Sequence, residues 1–304
     1  MTARRYAGIF RALGYRVEIA DADARDLDAD VVVALHAKRS ARAALAYRSV
    51  HPEGRLIVVL TGTDIYRDLP RSRLALRALE AADAIVALQP LALRRLAPPL
   101  RAKARTIFQS VTLPTGIRKR TSSGDALALC VLGHLRKEKD SLRAAYAVRS
   151  LPANHSLRIT IAGGILDPRY AKRIADELAQ NPHLRYLGER SQRAALALLA
   201  RSDALVIPSR MEGGANVVGE AIALGVPVIA SRIDGNIGML GEMYEGYFEV
   251  GSTTSLRRLL LHFSSDPQLR RRLTQSVARL ASNVLPKKER AAWKALLTER
   301  LAPR

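Results

Sequence analysis

Residues 208–228 read Pro-Ser-Arg-Met-Glu-Gly-Gly-Ala-Asn-Val-Val-Gly-Glu-Ala-Ile-Ala-Leu-Gly-Val-Pro-Val, the segment most informative about the fold. The apolar run Ala204–Ile207 predicts a strand before it, the spacing of Asn216–Leu224 predicts a helix, and Pro227–Ala230 predicts the next strand. Strand, helix and strand in this order form a parallel β-α-β unit. The glycine-rich turn lies at the carboxyl end of the first strand, where open α/β sheets bind ligands.

Two carboxylates flank this turn, Glu212 before the glycines and Glu220 about one turn into the helix, with seven residues between them. The first N–H groups of a helix have no partner within the helix and favour an anion. Carboxylates, in contrast, accept hydrogen bonds from sugar hydroxyls. A ligand that carries both phosphate and hydroxyls suits both features, so the turn predicts a nucleotide-sugar site. Its further predicted contacts are Gly213, Gly214, Ala215, Asn216 and Val217.

Three more turns of the second half follow predicted strands. The segment Gly133–Asp140 contains a glycine and then Arg136 and Lys139, cations that suit a diphosphate. A solvated charged turn explains the same segment equally well. The other two turns are weak signals, since ordinary turns also contain glycine. Their predicted ligand contacts are Gly163, Gly164, Gly188 and Glu189.

Apolar strands alternate with amphipathic helices along the rest of the chain, which predicts an α/β fold with parallel sheets and helices on both faces. At 304 residues the chain exceeds what one core usually serves. We expect two doubly wound domains, at residues 1–113 and 126–282. The Pro, Gly, Ser and charge mixture of residues 114–125 predicts a linker. Residues 283–304 predict a last helix that returns to the first domain.

The N-terminus departs from this pattern. A doubly wound domain opens with a central strand and a glycine-rich turn. Here residues 2–13 already predict its first helix, and Arg16–Ala20 predicts the strand after it. We therefore expect a start codon placed too late, or a truncated gene.

Residues 133–227 resemble the nucleotide-binding domain of the retaining family-4 glycosyltransferases. Their signature places two glutamates eight positions apart before Ala-x-Ala-x-Gly-x-Pro-Val, as Glu212, Glu220 and the segment Ala221–Val228 do here. The resemblance implies two Rossmann-like domains that face a cleft, the glycosyltransferase B-type architecture. It also implies that Glu212 holds the donor sugar, that Glu220 binds the ribose, and that Lys139 binds phosphate. The usual arginine after the glycine is His134 here, so Arg136 is expected to replace it.

A narrower resemblance links the chain to the selenosugar synthases of selenoneine biosynthesis. It rests on Leu35–Ser40, Thr61–Asp68, Ser209–Asn216 and Ala230–Asn236. The family is implied to join selenophosphate to the anomeric carbon of a UDP-sugar. Polar residues after two strands of the first domain suit a small anionic acceptor, although surface charges explain some of them equally well. The predicted acceptor contacts are His36, Lys38, Arg39, Thr61, Thr63, Asp64, Tyr66 and Arg67.

Composition narrows the class of protein. One cysteine, Cys130, lies in an apolar run and predicts a buried thiol in a reducing compartment, so we expect a cytoplasmic protein. No His, Cys and Asp cluster has metal-ligand spacing, so neither a metal nor another cofactor is expected. The net charge of +21 is spread along the chain without interleaved aromatics, so no nucleic-acid partner is expected.

Two alternatives stay open. An ordinary sugar-to-lipid or sugar-to-sugar transferase would use the basic charge to dock on an anionic membrane surface, for which Arg94 and Arg95 beside several leucines are the candidate segment. The other alternative is a nucleotide-sugar binder without activity.

Overall fold

The structure, a computed structural model, describes residues 2–21, 26–119 and 126–299. These residues divide into two compact units. Unit 1 contains the described residues up to Ser110 and those from Pro286 onward, and unit 2 contains those from Val111 to Leu285. Both units alternate strands with helices, and both of their sheets are parallel. The predicted α/β class is confirmed.

Unit 1 has a four-stranded sheet with the order β1-β2-β3-β4 within the described residues. The strands are β1 Val31–Leu35, β2 Arg55–Leu60, β3 Ala84–Ala87 and β4 Ala104–Thr106. The helices are α1 Thr2–Ala12, α2 Ala41–Val50, α3 Arg73–Ala81, α4 Pro98–Ala102 and, at the end of the chain, α12 Pro286–Thr298. Short helical turns at Asp64–Asp68, Leu69–Arg71 and Pro90–Arg95 follow β2 and β3.

The central strand β2 shows why helices cover both faces of this sheet. Leu56, Val58 and Leu60 pack into one cluster with Tyr47 of α2 and Leu79 of α3. Ile57 and Val59 point the other way, as successive residues of a strand do, into a cluster with α1 and α12. A strand buried on both faces must be apolar throughout, which explains the run Leu-Ile-Val-Val-Leu.

The prediction of a strand at Arg16–Ala20 is wrong, because this segment is neither strand nor helix. Its residues are mostly exposed, and Ile19 is 48% exposed. Within the described part of unit 1, none of the four strands pairs with it. A single apolar segment becomes a strand only when a neighbour satisfies its backbone groups.

Unit 2 has a six-stranded sheet with the order β10-β9-β8-β5-β6-β7 in its described residues. The strands are β5 Leu127–Leu132, β6 Leu157–Ala162, β7 Leu184–Tyr186, β8 Ala204–Ile207, β9 Val228–Ser231 and β10 Tyr247–Phe248. The helices are α5 Leu142–Val148, α6 Arg169–Gln180, α7 Gln192–Arg201, α8 Asn216–Leu224, α9 Asp234–Leu240, α10 Thr253–Ser265 and α11 Pro267–Leu280, followed by a short turn at Ala281–Val284.

The strand order of unit 2 reverses between β5 and β8, which are neighbours in the sheet although 71 residues separate their described ends. From β5 the chain proceeds outward to β7 and then returns to place β8 on the other side of β5. Loops that leave such a switch point diverge to opposite faces and open a crevice at the carboxyl edge. The fold therefore brings together the segments after β5 and β8.

Residues 114–119 of the predicted linker contain neither helix nor strand, while residues 120–125 lie outside the described ranges. Helix α12 packs within unit 1 through Trp293, which is fully buried between Tyr6 and Phe10 of α1. The ring centroids lie 4.9 and 5.0 Å from that of Trp293. Residues 300–304 are also outside the described ranges.

Candidate active site

Three glycine turns meet at the carboxyl edge of unit 2. The N–H of Gly163 donates to the carbonyl of Gly188 at 2.8 Å, and the N–H of Leu135 donates to the carbonyl of Gly164 at 2.8 Å. The contact between the turns after β5 and β6 is so close that a Cβ on Gly163 would lie 2.0 Å from the carbonyl oxygen of Gly133. Glycine is required at Gly163 for this approach, so the predicted pair of glycines has a defined structural role.

Lys139 and Glu212 form the centre of the candidate site. Lys139 lies in the loop after β5 and Glu212 in the loop after β8, on the two sides of the switch point. The ammonium Nζ of Lys139 donates to Glu212 Oε1 at 2.6 Å, and the two side chains are 20% and 10% exposed. A partly buried ion pair of this kind keeps both charges at a defined place while leaving them accessible.

The Glu212 loop rests on helix α9. A Cβ on Gly235 would lie 2.1 Å from the carbonyl oxygen of Glu212, so the backbone of α9 fits against the loop without a side chain between them. Behind this contact, the buried amide of Asn236 donates to the carbonyl of Ser231 at 2.9 Å. Packing against α9 thus holds the backbone of Glu212, while Lys139 holds its carboxylate.

Helix α8 begins at Asn216, after the buried residue Ala215 at its N-cap, without a side-chain cap in the described residues. The helix ends at Gly225, whose φ of 66° is the left-handed conformation typical of a C-cap glycine. An uncapped helix start favours an anion. The predicted contacts Gly213, Gly214 and Val217 belong to the same turn.

Glu220 lies one turn into α8 and is partly buried. Burial raises the pKa of its carboxyl above the ordinary value, and a hydrogen bond from Gln192 acts in the opposite direction. A carboxylate whose pKa is perturbed by burial is a candidate for a binding site.

His134 and Arg136 are both exposed, but the ring of His134 bonds to the turn after β6. His134 accepts a hydrogen bond at Nδ1 from the N–H of Gly164, at 3.1 Å, so its other ring nitrogen carries the proton when the imidazole is neutral. Glu189 lies near the same point, since a Cβ on Gly164 would be 3.1 Å from Glu189 Oε2. Sequence reasoning passed over His134, and its signal was its position directly after Gly133.

In unit 1 the structure brings together the predicted acceptor residues that follow β1 and β2. His36 is 6% exposed and adopts a φ of 73°, an uncommon conformation for a residue other than glycine. Its Nε2 lies 3.0 Å from Thr63 Oγ1, and its Nδ1 accepts the N–H of Arg39 at 3.3 Å. Burial lowers the pKa of His36, so the imidazole is neutral near pH 7. Nδ1 accepts, so Nε2–H donates to Thr63 and leaves the Thr63 hydroxyl hydrogen free to point elsewhere.

Asp64 has a structural role rather than the predicted contact with an acceptor. It is fully buried, and its oxygens accept the N–H groups of Ala37, Thr61, Gly62 and Ile65 at 2.7–3.1 Å. Four amide donors occupy the carboxylate, so Asp64 fixes the loops after β1 and β2.

Asp68 is the residue of this cluster that sequence reasoning missed. It is 8% exposed and lies 3.7 Å from His36 Nε2, 3.7 Å from Lys38 Nζ and 3.2 Å from Arg67 Nε. Burial would raise its pKa, but the hydrogen bond and charge of Arg67 together with Lys38 outweigh burial and lower it. The available signal was its position four residues after Asp64, on the same side of a helical turn.

The other predicted residues of unit 1 are less enclosed. Arg39 is exposed, and Thr61 is partly buried. Tyr66 accepts a hydrogen bond at its hydroxyl from Gln89 Nε2 at 2.7 Å, and its ring contacts Arg95.

Cys130 is fully buried, and burial raises its pKa to about 12, so the thiol is unreactive as predicted. Across the described ranges, no group of three or more His, Cys, Asp or Glu side chains is placed to hold a metal. None of the described helices is long and apolar enough to cross a membrane.

The part of the chain that matches a known protein family lies within unit 2. The family described as Glycosyl transferases group 1 matches residues 115–279, more than half of the chain. A curated relative, Glycosyltransferase 1 domain-containing protein 1 of Xenopus tropicalis, is 25% identical over 177 residues, which are 58% of this chain. The matched stretch spans only half of that relative.

Solved structures confirm the fold. Anabaena Alr3699/HepE in complex with UDP and glucose has a TM-score of 0.71 at 16% identity, over 88% of this chain and 78% of that one. Sucrose-phosphate synthase (tll1590) from Thermosynechococcus elongatus has a TM-score of 0.69 at 16% identity, over 97% and 77% of the two chains. The predicted glycosyltransferase B-type fold is therefore confirmed, and the narrower likeness to selenosugar synthases remains a prediction. The chain belongs to the glycosyl transferases group 1 family.

Proposed function

We propose that the protein transfers a sugar from a UDP-sugar to selenophosphate and forms a carbon–selenium bond. Unit 2 would bind the donor and unit 1 the acceptor. The observation that carries the donor half is the Lys139–Glu212 pair at the switch point, beside the uncapped start of α8. The structural relative Alr3699/HepE has been solved with UDP-glucose, which supports a nucleotide-sugar donor for this fold.

On the donor side, each residue has one task. Glu212 accepts hydrogen bonds from hydroxyls of the transferred sugar, while Glu220 accepts those of the ribose. Lys139, with Arg136 and the first amides of α8, neutralises the diphosphate as it leaves. Gly133 and Gly188, at which an added Cβ would meet nothing closer than 3.8 Å, let the nucleotide lie against the backbone, while Gly163 lets the turns approach each other.

The acceptor cluster of unit 1 favours a nucleophile that is already ionised. Lys38, Arg39 and Arg67 supply positive charge. Within this cluster the lone pairs suited to a general base are taken: Nδ1 of His36 accepts an N–H, and Asp64 accepts four. The lowered pKa of Asp68 makes it a weak base. An anion such as selenophosphate needs no base, whereas a sugar or lipid alcohol must lose a proton.

The proposed reaction balances without an oxidant. The selenium lone pair forms a bond to the anomeric carbon, and the bond from that carbon to the UDP oxygen breaks, so UDP leaves with the electron pair. Water then cleaves the selenium–phosphorus bond and releases phosphate. The product is a sugar with a selenol group.

Mass spectrometry tests the proposal. The protein is incubated with selenophosphate and, in turn, UDP-glucose, UDP-galactose and UDP-N-acetylglucosamine. A product with the isotope pattern of one selenium atom on a sugar, together with UDP, is expected from one donor. Release of UDP only when an alcohol acceptor or lipid vesicles are added would support the membrane-docked or sugar-to-sugar transferase instead. UDP binding without turnover of any mixture would support a binder.

We further propose that no metal takes part, because cationic side chains and helix amides can neutralise the leaving diphosphate, and that the protein works in the cytoplasm. Turnover is expected to persist in excess EDTA. Loss of activity in EDTA, restored by a divalent cation, would contradict this part.

A further inference from the structure

We infer that Asp140 is a positioning residue whose carboxylate, held between Arg143 and Arg210, fixes the loops that carry Lys139 and Glu212. The inference rests on the proposed function, because it concerns the geometry of the same donor site. Neither Asp140 nor Arg210 was among the predicted site residues.

The backbone at Asp140 is the first observation. Asp140 directly follows Lys139 and has a φ of 47°, a left-handed conformation that aspartate tolerates better than most residues. The carbonyl of Arg136 accepts the N–H groups of Lys139 at 3.0 Å and of Asp140 at 3.3 Å. The carbonyl of Asp140 then accepts the N–H of Arg143 at 2.9 Å. The chain therefore turns sharply at Asp140 before α5 begins.

The carboxylate is the second observation. Asp140 is 6% exposed, and its Oδ2 lies 3.1 Å from Arg143 Nη2 and 3.3 Å from Arg210 Nε. A buried carboxylate requires such partners. Arg210 precedes Glu212 by two residues, and its backbone N–H donates to the carbonyl of Glu138 at 2.8 Å. The loops after β5 and β8 are thus joined by a backbone bond and an ion pair beside the Lys139–Glu212 bond.

Both arginines are anchored elsewhere as well. Arg143 Nη1 donates to Thr253 Oγ1 at 2.8 Å, at the first residue of α10. The guanidinium of Arg210 lies against Gly251, where a Cβ would be 3.0 Å from Nη2. Asp140 therefore connects three segments: the loop after β5, the loop after β8 and the turn before α10.

Removal of the carboxylate takes away the anion that Arg143 and Arg210 share, since nitrogens of the two guanidinium groups lie 3.1 and 3.3 Å from the same oxygen. Their repulsion would separate the loops and move Glu212 relative to Lys139. A displacement of about 1 Å in a site that orients reacting groups costs about a hundredfold in rate. The effect should appear mainly in kcat, because the nucleotide also contacts the glycine turns.

Two substitutions separate the carboxylate from the backbone conformation. Asp140→Asn keeps the shape and removes the charge, and Asp140→Gly keeps access to a positive φ and removes the side chain. Asp176→Asn is the matched control, since Asp176 forms an exposed ion pair with Lys172 on α6. We measure kcat and KM with the UDP-sugar that the wild type turns over, the Kd for UDP by calorimetry, and thermal unfolding by circular dichroism.

Asp140→Asn and Asp140→Gly are each expected to lower kcat about tenfold or more, with little change in the Kd for UDP and a folded protein. Asp176→Asn should resemble the wild type. An Asp140→Gly variant with wild-type kcat would overturn the inference, because only the backbone turn would then matter. The second arm is the double variant Asp140→Asn, Arg210→Gln. In the Asp140→Asn background, Arg210→Gln should lower kcat little further. Additive losses would show that the two residues act independently.

A third measurement needs no turnover. Hydrogen exchange of the amides in residues 209–215 should be faster in Asp140→Asn than in the wild type, and unchanged exchange would overturn the inference. If the wild type turns over no UDP-sugar, the proposed function fails, whereas the positioning role of Asp140 is still decided by this exchange.

Discussion

At the residue scale, the Lys139–Glu212 pair makes the most direct prediction. Glu212→Ala removes the proposed acceptor for the sugar hydroxyls, and Lys139→Ala removes the cation bonded to it. Each is expected to lower kcat/KM for the UDP-sugar by about two decades or more, comparable with the loss of one preorganised transition-state contact. Steady-state kinetics measures the effect, and circular dichroism verifies folding. Glu212→Gln, which keeps one hydrogen-bond acceptor, should be less impaired than Glu212→Ala; near wild-type activity of either alanine variant would contradict the assignment.

Thr63 provides the test of the acceptor cluster. Its hydroxyl receives the His36 Nε2–H and can donate its own hydrogen to an anion. Thr63→Val keeps the shape and removes the hydroxyl, so KM for selenophosphate is expected to rise about tenfold, the loss of one charge-assisted hydrogen bond. Thr63→Ser is the matched control and should stay close to the wild type. Equal KM values for Val and Ser variants would show that the hydroxyl does not touch the acceptor.

One substitution of Glu220 tests both its proposed contact with UDP and its effect on the free energy of unfolding. Burial raises its pKa in the folded state, so the native protein binds more protons than the unfolded chain, and stability falls as pH rises from about 4.5 through the raised pKa. Glu220→Gln removes this loss. Urea unfolding is expected to show a more stable variant at about pH 7.5 and a smaller difference near pH 4.5. Calorimetry should show weaker UDP binding at the same time. A variant less stable than the wild type at the higher pH would contradict this account.

At the scale of elements, the contact of α9 with the Glu212 loop is the most sensitive point. Gly235→Ala places a methyl group 2.1 Å from the Glu212 carbonyl oxygen, so the loop or the helix must move. Overpacking of this kind costs about 1–3 kcal/mol of unfolding free energy. Because the shift moves Glu212 itself, kcat is expected to fall even though the protein stays folded. Gly8→Ala in α1 is the control, because nothing lies within 4 Å of its added Cβ and alanine favours a helix. Unchanged kcat in Gly235→Ala would show that the loop tolerates the shift.

At the scale of the whole molecule, the chain leaves unit 1 after Ser110 and returns at Pro286, so α12 completes a core that begins at α1. Trp293 is the single tryptophan and is fully buried there. Trp293→Ala is expected to cost about 3–5 kcal/mol of unfolding free energy in unit 1. Denaturant titration measures it, with Met243→Ala as the control, since Met243 is 93% exposed. A loss below about 1 kcal/mol would mean that unit 1 does not depend on the returning helix.

The sequence predicts most strands and helices and the glycine turn with its two glutamates, because these features depend on residues close together in the chain. Periodic apolar runs predicted the strands and helices on both sides of the glycine turns, and two glutamates eight positions apart predicted the segment that contains Glu212 and Glu220. The α/β fold and the family follow from these patterns. The donor sugar and the acceptor do not, since they depend on contacts that no single segment contains.

Tertiary structure decided what depends on partners distant in sequence. The segment Arg16–Ala20, in which polar and apolar residues alternate, is no strand, because none of the described strands of unit 1 pairs with it. Asp64 looked like a ligand contact, yet four backbone amides from two loops occupy its carboxylate. Asp68 and Asp140 were not among the predicted site residues, yet each lies against two cationic side chains in the folded protein. Local periodicity fixes which residues form a helix or strand, whereas the task of a charged side chain is set by the groups that folding places around it.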